Sequence, residues 1–427
     1  MYIKNNLEEL KKYIAILFLY IFGASWILST AVMYISLLGI IAITILDIKS
    51  FYNWAQKYYI FWISIAWIGW LILRTILPTE FNIGIEKKIF CSYDMVFLGG
   101  FPALFITYWL YSSRIIKVFI ILLSLAIIVN FFAHIDYINF QKYIAGSKED
   151  FGLRGNGAGL FGIFLMSICV AFGALDKNNK LTYNFIKFIY FTLCFIIGMF
   201  MLIVDQSRGI WIAFLSMTFL LIIIFFITNS KFMILRKLYY NKKIILFTTV
   251  AIILVLVLFR KAIFSRMTHE STNWEAAISL NFNKLKSSSI GYRIGMWYAG
   301  INQFKKQPII GSGPGTAPKI ITNANFSVLK DKTWPNFHNT YIHILVTTGV
   351  VGFVIYIIYI FTLIRSCIKH KNNLHTKLHE NILLFVMIVG PVMLIEFFFA
   401  VKFDDVIGKV LILTITSLAL SNLRIMD

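Results

Sequence analysis

SSSIGYRIGMWYAGINQFKKQPIIGSGPGTAPKIITNANFSVLKDKTWPNFHNTYIHILVTTGVVG, running from Ser287 to Gly352, is the stretch on which the reading of this chain turns. It joins an amphipathic segment with one arginine, a Gly/Pro-rich loop, and a histidine just ahead of a new apolar run. Almost everything on either side is apolar. The chain of 427 residues is 59% hydrophobic, with a mean hydropathy of +0.79. Such a load points to an all-α polytopic membrane protein and away from a soluble domain.

Apolar runs at 13–30, 31–47, 59–77, 95–112, 115–133, 157–175, 184–204, 209–228, 243–260, 339–365, 380–401 and 405–422 predict about twelve transmembrane helices, each near the ~20 residues a span needs. The first two runs are nearly continuous. Lys4, Lys11 and Lys12 precede the first run with no small-residue cleavage site, which reads as a retained span. The division expected is 1–260 for helices 1–9, 261–338 for an extramembrane segment with short helices, and 339–427 for helices 10–12.

The chain holds 40 Lys+Arg against 19 Asp+Glu, a formal net charge of +21. The basic residues are spread through many short loops. That fits topology signals and anionic headgroups or substrates, and not nucleic acid. With the N-terminus cytoplasmic, the inside segments hold Lys49 and Lys57, Arg114 and Lys117, Lys177 and Lys180, the cluster from Lys231 to Lys243, and Arg365 to Lys377. The short outside connections are poorer in Lys and Arg, as the positive-inside rule requires. The segment 261–338 is then external, together with 134–156 and 205–208. Cys91, Cys169, Cys194 and Cys367 show no CxxC spacing, and no disulfide framework is predicted.

Ile290, Ile294, Trp297, Ile301 and Phe304 recur at three- and four-residue steps, one apolar stripe on a helix too short to span. This predicts a helix at the outer membrane surface, with Trp297 and Tyr298 at headgroup depth. Arg293 borders the stripe, either snorkelling to water or facing an anionic substrate. In Gln307–Thr316, Gly311, Gly313 and Gly315 could turn backbone N–H groups to an anion, or make an ordinary turn. No GK[ST] ends the loop, so it is not a P-loop. Asn339 is a good N-cap for the tenth span. His338 sits just outside that helix, where the positive dipole end disfavours imidazolium; it is either a competent general base or an ordinary solvent-exposed histidine. His343 faces elsewhere, so no two-histidine metal face forms.

Arg208 opens the eighth span in DQSRG, with Asp205 as a possible partner, and Arg154 opens the sixth in GLRGNGAG. Arg74, inside the third span, is expected to pair internally. The external segment holds only Glu270, Glu275 and Asp331, without DxD spacing or a carboxylate pair, which leaves little for a two-carboxylate glycosidase. Capping the last span accounts for Asp404 and Asp405. His375 and His379 are spaced i,i+4 but have no third ligand, and read as a solvated basic loop.

In order, LRGNGAG, QSRG opening a span, GYRIGMWYAG, QPIIGSGPG and FHNTYIHILVTTGVVG resemble the O-antigen ligase and polymerase superfamily of polytopic, GT-C-like glycosyltransferases. The resemblance covers about residues 150 to 360, and length and span pattern look most like the ligases. It implies transfer of O-antigen polysaccharide from undecaprenyl pyrophosphate to a sugar hydroxyl of lipid A–core, at the periplasmic side of the bacterial inner membrane. It implies no metal, nucleotide or other cofactor, membrane lipids as the only further partner, and Arg154, Arg208, Arg293 and His338 as site residues. On that basis Arg208 and Arg293 clamp the pyrophosphate, Arg154 supports it, and His338 takes the acceptor proton with inversion. A polymerase would use the same donor. A secondary transporter would place charges at the midplane in repeated halves, and this sequence shows neither.

Overall fold

The computed structural model describes residues 2–136, 151, 157–173, 181–205, 207, 209–216, 218, 278–279, 285–324, 326–330, 333–369, 377–401 and 403–425. Among these the chain is helical and contains no strand. The helices are α1 (Tyr2–Ser25), α2 (Thr30–Leu46), α3 (Ile48–Ala55), α4 (Tyr59–Ile76), α5 (Ile85–Val96), α6 (Phe101–Trp109), α7 (Ser113–His134), α8 (Gly157–Phe172) and α9 (Leu181–Asp205). They continue as α10 (Ser289–Lys306), α11 (Ala317–Asn323), α12 (Thr340–Lys369), α13 (Lys377–Glu396) and α14 (Val406–Ile425).

Among the described residues, four helical stretches are long and apolar enough to cross a membrane: Tyr59–Ile76, Ser113–His134, Phe185–Asp205 and Thr340–Cys367. Two bent pairs would raise that to six. Large apolar side chains stand exposed along them, among them Phe185, Ile189, Ile357 and Phe361. A water-facing surface does not carry such a band, whereas a bilayer covers it. This is a multi-pass membrane protein. Of the twelve runs expected, 243–260 and most of 209–228 lie outside the described residues.

One expected division holds and one expected span changes. The first two runs are separate helices: the chain turns at 26–29, where Trp26 donates to the Leu123 carbonyl at 3.0 Å and Ser29 caps α2. The run at 95–112 is not one straight span. Ile85–Gly99 and Phe101–Trp109 meet at 48°. The cause is Gly100, held at φ +68° with Tyr359 packed where its Cβ would be. Only glycine takes that conformation freely. Pro102 then starts α6 with its fixed φ.

Small residues set the closest helix contacts. Gly162 of α8 and Gly198 of α9 lie against each other's backbone, so neither has room for a Cβ. A buried ion pair ties α5 to α14: Lys409 donates to Asp94 at 2.5 Å, with Nζ 5.8 Å from the ring centroids of Tyr93 and Phe97. A main apolar core runs through the bundle. A second, smaller one gathers Leu285, Ile294, Met296, Ile320, Leu329, Phe337 and Val346. The Ser287–Gly352 stretch therefore has a core of its own, closed by the start of α12.

The break in α12 joins the two parts. Gly349 has φ +70° and ψ −173°, so the helix stops and restarts there. The Gly-rich loop fills the gap. Ser312 N–H donates to Val346 O at 2.7 Å and Gly313 N–H to Thr347 O at 3.0 Å. Beyond the break, Val350 N–H donates to Pro308 O at 2.8 Å and Val351 N–H to Ile309 O at 3.3 Å. The groups that a helix end leaves unpaired are thus satisfied by one loop. Trp70 donates to Thr348 O at 3.1 Å, and Arg74, 1% exposed, donates to Gly311 O at 2.9 Å. Arg74 does pair internally, as expected, with a backbone carbonyl as its partner.

Candidate functional site

α10 begins where Ser288 accepts from Gly291 N–H at 3.1 Å. It spans Ser289–Lys306, close to the 290–304 expected. Its buried face differs from the stripe of large residues. Gly291, Ile294, Gly295, Met296, Ala299, Gly300 and Gln303 point inward, while Ile301 is 42% exposed. The small residues decide this. A Cβ on Gly300 would sit 2.8 Å from Ile342 and 3.2 Å from Phe337, so α10 lies close against the start of α12. Tyr298 packs on Phe326 at 5.6 Å. Arg293 is half-buried on this helix.

Of the two readings of the Gly-rich loop, the turn is the one found. The N–H groups of Gly311, Ser312 and Gly313 donate to protein carbonyls, so they do not form an anion cradle. Gln303 links the loop to its surroundings, donating to Ser312 Oγ at 3.1 Å and to Glu80 at 2.9 Å.

Asn339 caps α12 as its sequence position predicts, accepting from Ile342 N–H at 3.0 Å. His338, just before it, is half-buried and has φ +49°, in the left-handed region. Histidine is among the few non-glycine residues enriched there, yet the conformation is costly and needs support. Asn336 supplies that support: its Oδ1 accepts from His338 N–H at 2.8 Å, and its Nδ2 donates to Asp404. Asp405 caps α14 through Gly408 N–H, as expected. Asp404 does not serve as a cap; it reaches across 68 residues of chain to hold the histidine loop. Packing around its carboxyl, with the nearby charge of Asp405, pushes Asp404 up to about 7, although the residue as a whole stays exposed. His343 faces away from His338's side chain, buried between Phe337 at 5.9 Å and Phe403 at 5.3 Å.

Removing Asn336 should therefore free the histidine without dismantling the helix behind it. Asn336→Ala is expected to lower turnover by roughly 10–100-fold, the scale of a small misplacement at a reacting centre. Asn336→Asp keeps an acceptor for His338 N–H but opposes Asp404, and adding Asp404→Asn should restore activity. Steady-state rates on protein with an unchanged melting curve test this. A fully active Asn336→Ala would remove the anchoring role.

The other motifs meet at the same helix ends. Gly159, closing LRGNGAG at the start of α8, donates its N–H to Asp205 Oδ2 at 2.6 Å. Asp205, the fully buried end of α9, thus satisfies a free amide of α8. A Cβ on Gly209 would lie 2.6 Å from Glu396 and 2.8 Å from Phe399. Phe397 O accepts from Thr340 N–H at 2.8 Å, and Ala400 O from the Thr340 hydroxyl at 2.8 Å. Gly159 also lies against Ile210, so a path of contacts runs from Gly159 through Ile210 and its neighbour Gly209 to the 396–400 turn and Thr340, two residues from His338. Arg154 and Arg208 lie outside the described residues. Two aromatic rings connect α10 to His338. Tyr292 meets Trp334 at 5.1 Å, and Trp334 meets the imidazole of His338 at 5.7 Å.

Residues 193–357 match the family described as O-antigen ligase. That match supports an assignment to the O-antigen ligase family. The matched region takes in Arg208, Arg293, His338, the Gly-rich loop and the break in α12. It stops short of the 396–405 segment that anchors His338 from behind. Among the curated proteins there is no match.

The sequence pattern did not single out Asn336, Glu396, Tyr292 or Trp334, and it read Asp404 only as a cap. Asn336 lies in the PNFHN turn, and an Asn two residues before a positive-φ position is a recognisable turn signal. Glu396, fully buried at the end of α13, stands in an otherwise apolar run, and an acidic residue there invites explanation. The side chains of His375 and His379 lie outside the described residues. Among the described residues, no three of His, Cys, Asp and Glu gather as a metal site.

Proposed function

We propose that this protein transfers a glycan from a polyprenyl pyrophosphate to a sugar hydroxyl of lipid A–core, as an O-antigen ligase with about twelve spans and its site at the periplasmic face of the inner membrane. The observation that carries the proposal is the aromatic contact from Tyr292, next to Arg293, through Trp334 to His338. The contact holds α10, the helix that carries Arg293, against the turn that carries His338, within the region that matches the family.

The acceptor hydroxyl attacks the anomeric carbon as the bond to the pyrophosphate breaks. His338 takes the proton of the attacking hydroxyl. The leaving pyrophosphate gains negative charge, and guanidinium groups stabilise phosphate oxygens bidentately. Arg293 and Arg208 hold it and Arg154 supports them. Direct attack inverts the anomeric centre. The donor's polyprenyl tail and the acceptor's lipid A both stay in the bilayer, so a site formed at helix ends suits both.

The test uses purified protein in proteoliposomes supplied with polyprenyl-pyrophosphate glycan and lipid A–core. The expected product is one glycan block on the core, with inverted configuration. Lengthening of the polyprenyl-linked glycan with the core untouched would make the protein a polymerase. Retained configuration would overturn direct attack.

A further inference from the structure

The proposed chemistry assigns roles to Arg293 and His338 but none to Tyr292, the neighbour of Arg293 in sequence, or to Trp334, which touches His338. Tyr292 and Trp334 lie 5.1 Å apart between centroids, with planes at 43°. Trp334 and the His338 imidazole lie 5.7 Å apart at 83°. Tyr292, Trp334 and His338 are each half-buried, so none is closed off from solvent. Tyr292 and Trp334 pack against the small core of the Ser287–Gly352 stretch.

A pyranose ring has C–H groups on its faces and hydroxyls around its rim. A flat aromatic ring accepts the face while polar neighbours take the rim, which orients a sugar as no aliphatic side chain can. Tyr292 is bonded to Arg293, so the leaving pyrophosphate and the aromatic pair share one turn of α10. Trp334 touches the imidazole, so a sugar lying on it presents a hydroxyl to the base.

We infer that Tyr292 and Trp334 form a sugar-binding subsite at the point of transfer, with Trp334 holding the acceptor sugar whose hydroxyl faces His338. This rests on the reading of His338 as the base. The acceptor is favoured over the donor sugar because the donor is tied to the pyrophosphate on the Arg293 side. Trp334 is thus a specificity-determining residue and not only packing.

The experiment measures initial rates with purified protein in proteoliposomes. Lipid A–core is varied at saturating donor, then the donor at saturating core. Trp334→Phe keeps a smaller flat ring and is expected to raise the acceptor KM less than Trp334→Ala does. Trp334→Ala is expected to raise the acceptor KM roughly tenfold, the scale of one lost aromatic contact, with the donor KM unchanged. Trp334→Leu keeps apolar bulk without a flat face and should behave like Trp334→Ala; melting curves show that it folds. Binding of fluorescent lipid A–core to His338→Ala protein, with and without Trp334→Leu, gives a readout free of turnover, and the second change should weaken it. If both the acceptor KM and this binding are unchanged while His338→Ala is inactive, the subsite is wrong and the base survives. If the donor KM rises instead, Trp334 holds the donor sugar and the acceptor assignment is overturned. If His338→Ala turns over normally, the base reading falls and takes this inference with it.

Discussion

Replacing His338 with alanine is expected to remove the lipopolysaccharide ladder while full-length protein remains in the membrane. His338 is half-buried, so losing its ring leaves the main core intact. Its backbone is the harder constraint. At φ +49° an alanine is strained by about 1–2 kcal/mol, a cost unrelated to catalysis. His338→Asn answers that objection, because asparagine tolerates left-handed backbone and has no basic nitrogen. Loss of a positioned base lowers rates by about 10²–10⁴-fold, and both variants should fall in that range. Gel banding in a strain carrying only the variant, with membrane levels checked, gives the answer. Ladder loss with polymer accumulating on the polyprenyl carrier fits ligation with His338 essential. Core plus a single repeat points to a polymerase, and an unchanged ladder removes His338 from the mechanism.

What could be read from the sequence is what depends on neighbours in sequence. The helical class follows from hydropathy, the cap at Asn339 from residue type and position, and α10 from its periodicity. The FLGGFP segment carries the bend between α5 and α6, since paired glycines and a proline punctuate a helix. The contacts that assemble the site are of another kind. Gly159 meets Asp205 across 46 residues and Asn336 meets Asp404 across 68. No local pattern specifies which distant carboxylate satisfies a given amide. The Gly-rich loop shows the same limit. Its glycines signal positive φ, but the destination of its N–H groups depends on a break in α12. In sequence that break looks like one more glycine in an apolar run.

Gly349→Ala should prevent the protein from reaching its folded state, a larger effect on the fold than any other single change considered. A φ of +70° with ψ near 180° belongs to glycine, and other residues held there carry strain of about 1–3 kcal/mol. The added methyl would also fall on the backbone of Ile309 and within 2.6 Å of Gly311 N. Those atoms are main chain, so no rotamer change relieves the overlap. Moving the loop would break the bonds from Ser312 to Val346 and from Val350 to Pro308, and would take Arg74 off Gly311. Freed polar groups at membrane depth cost several kcal/mol each, about as much as the whole stability of a domain once two or three are exposed. The loop also carries Gln303's link to Ser312, so α10 and its Arg293 would lose their support. Gly69→Ala is the matched control: it lies in α4 with nothing within 4 Å of an added Cβ, and alanine there should be neutral or mildly stabilising. Size-exclusion profiles and melting curves in detergent separate the two. A monodisperse Gly349→Ala protein melting within a few degrees of wild type would mean that the loop does not lock the broken helix.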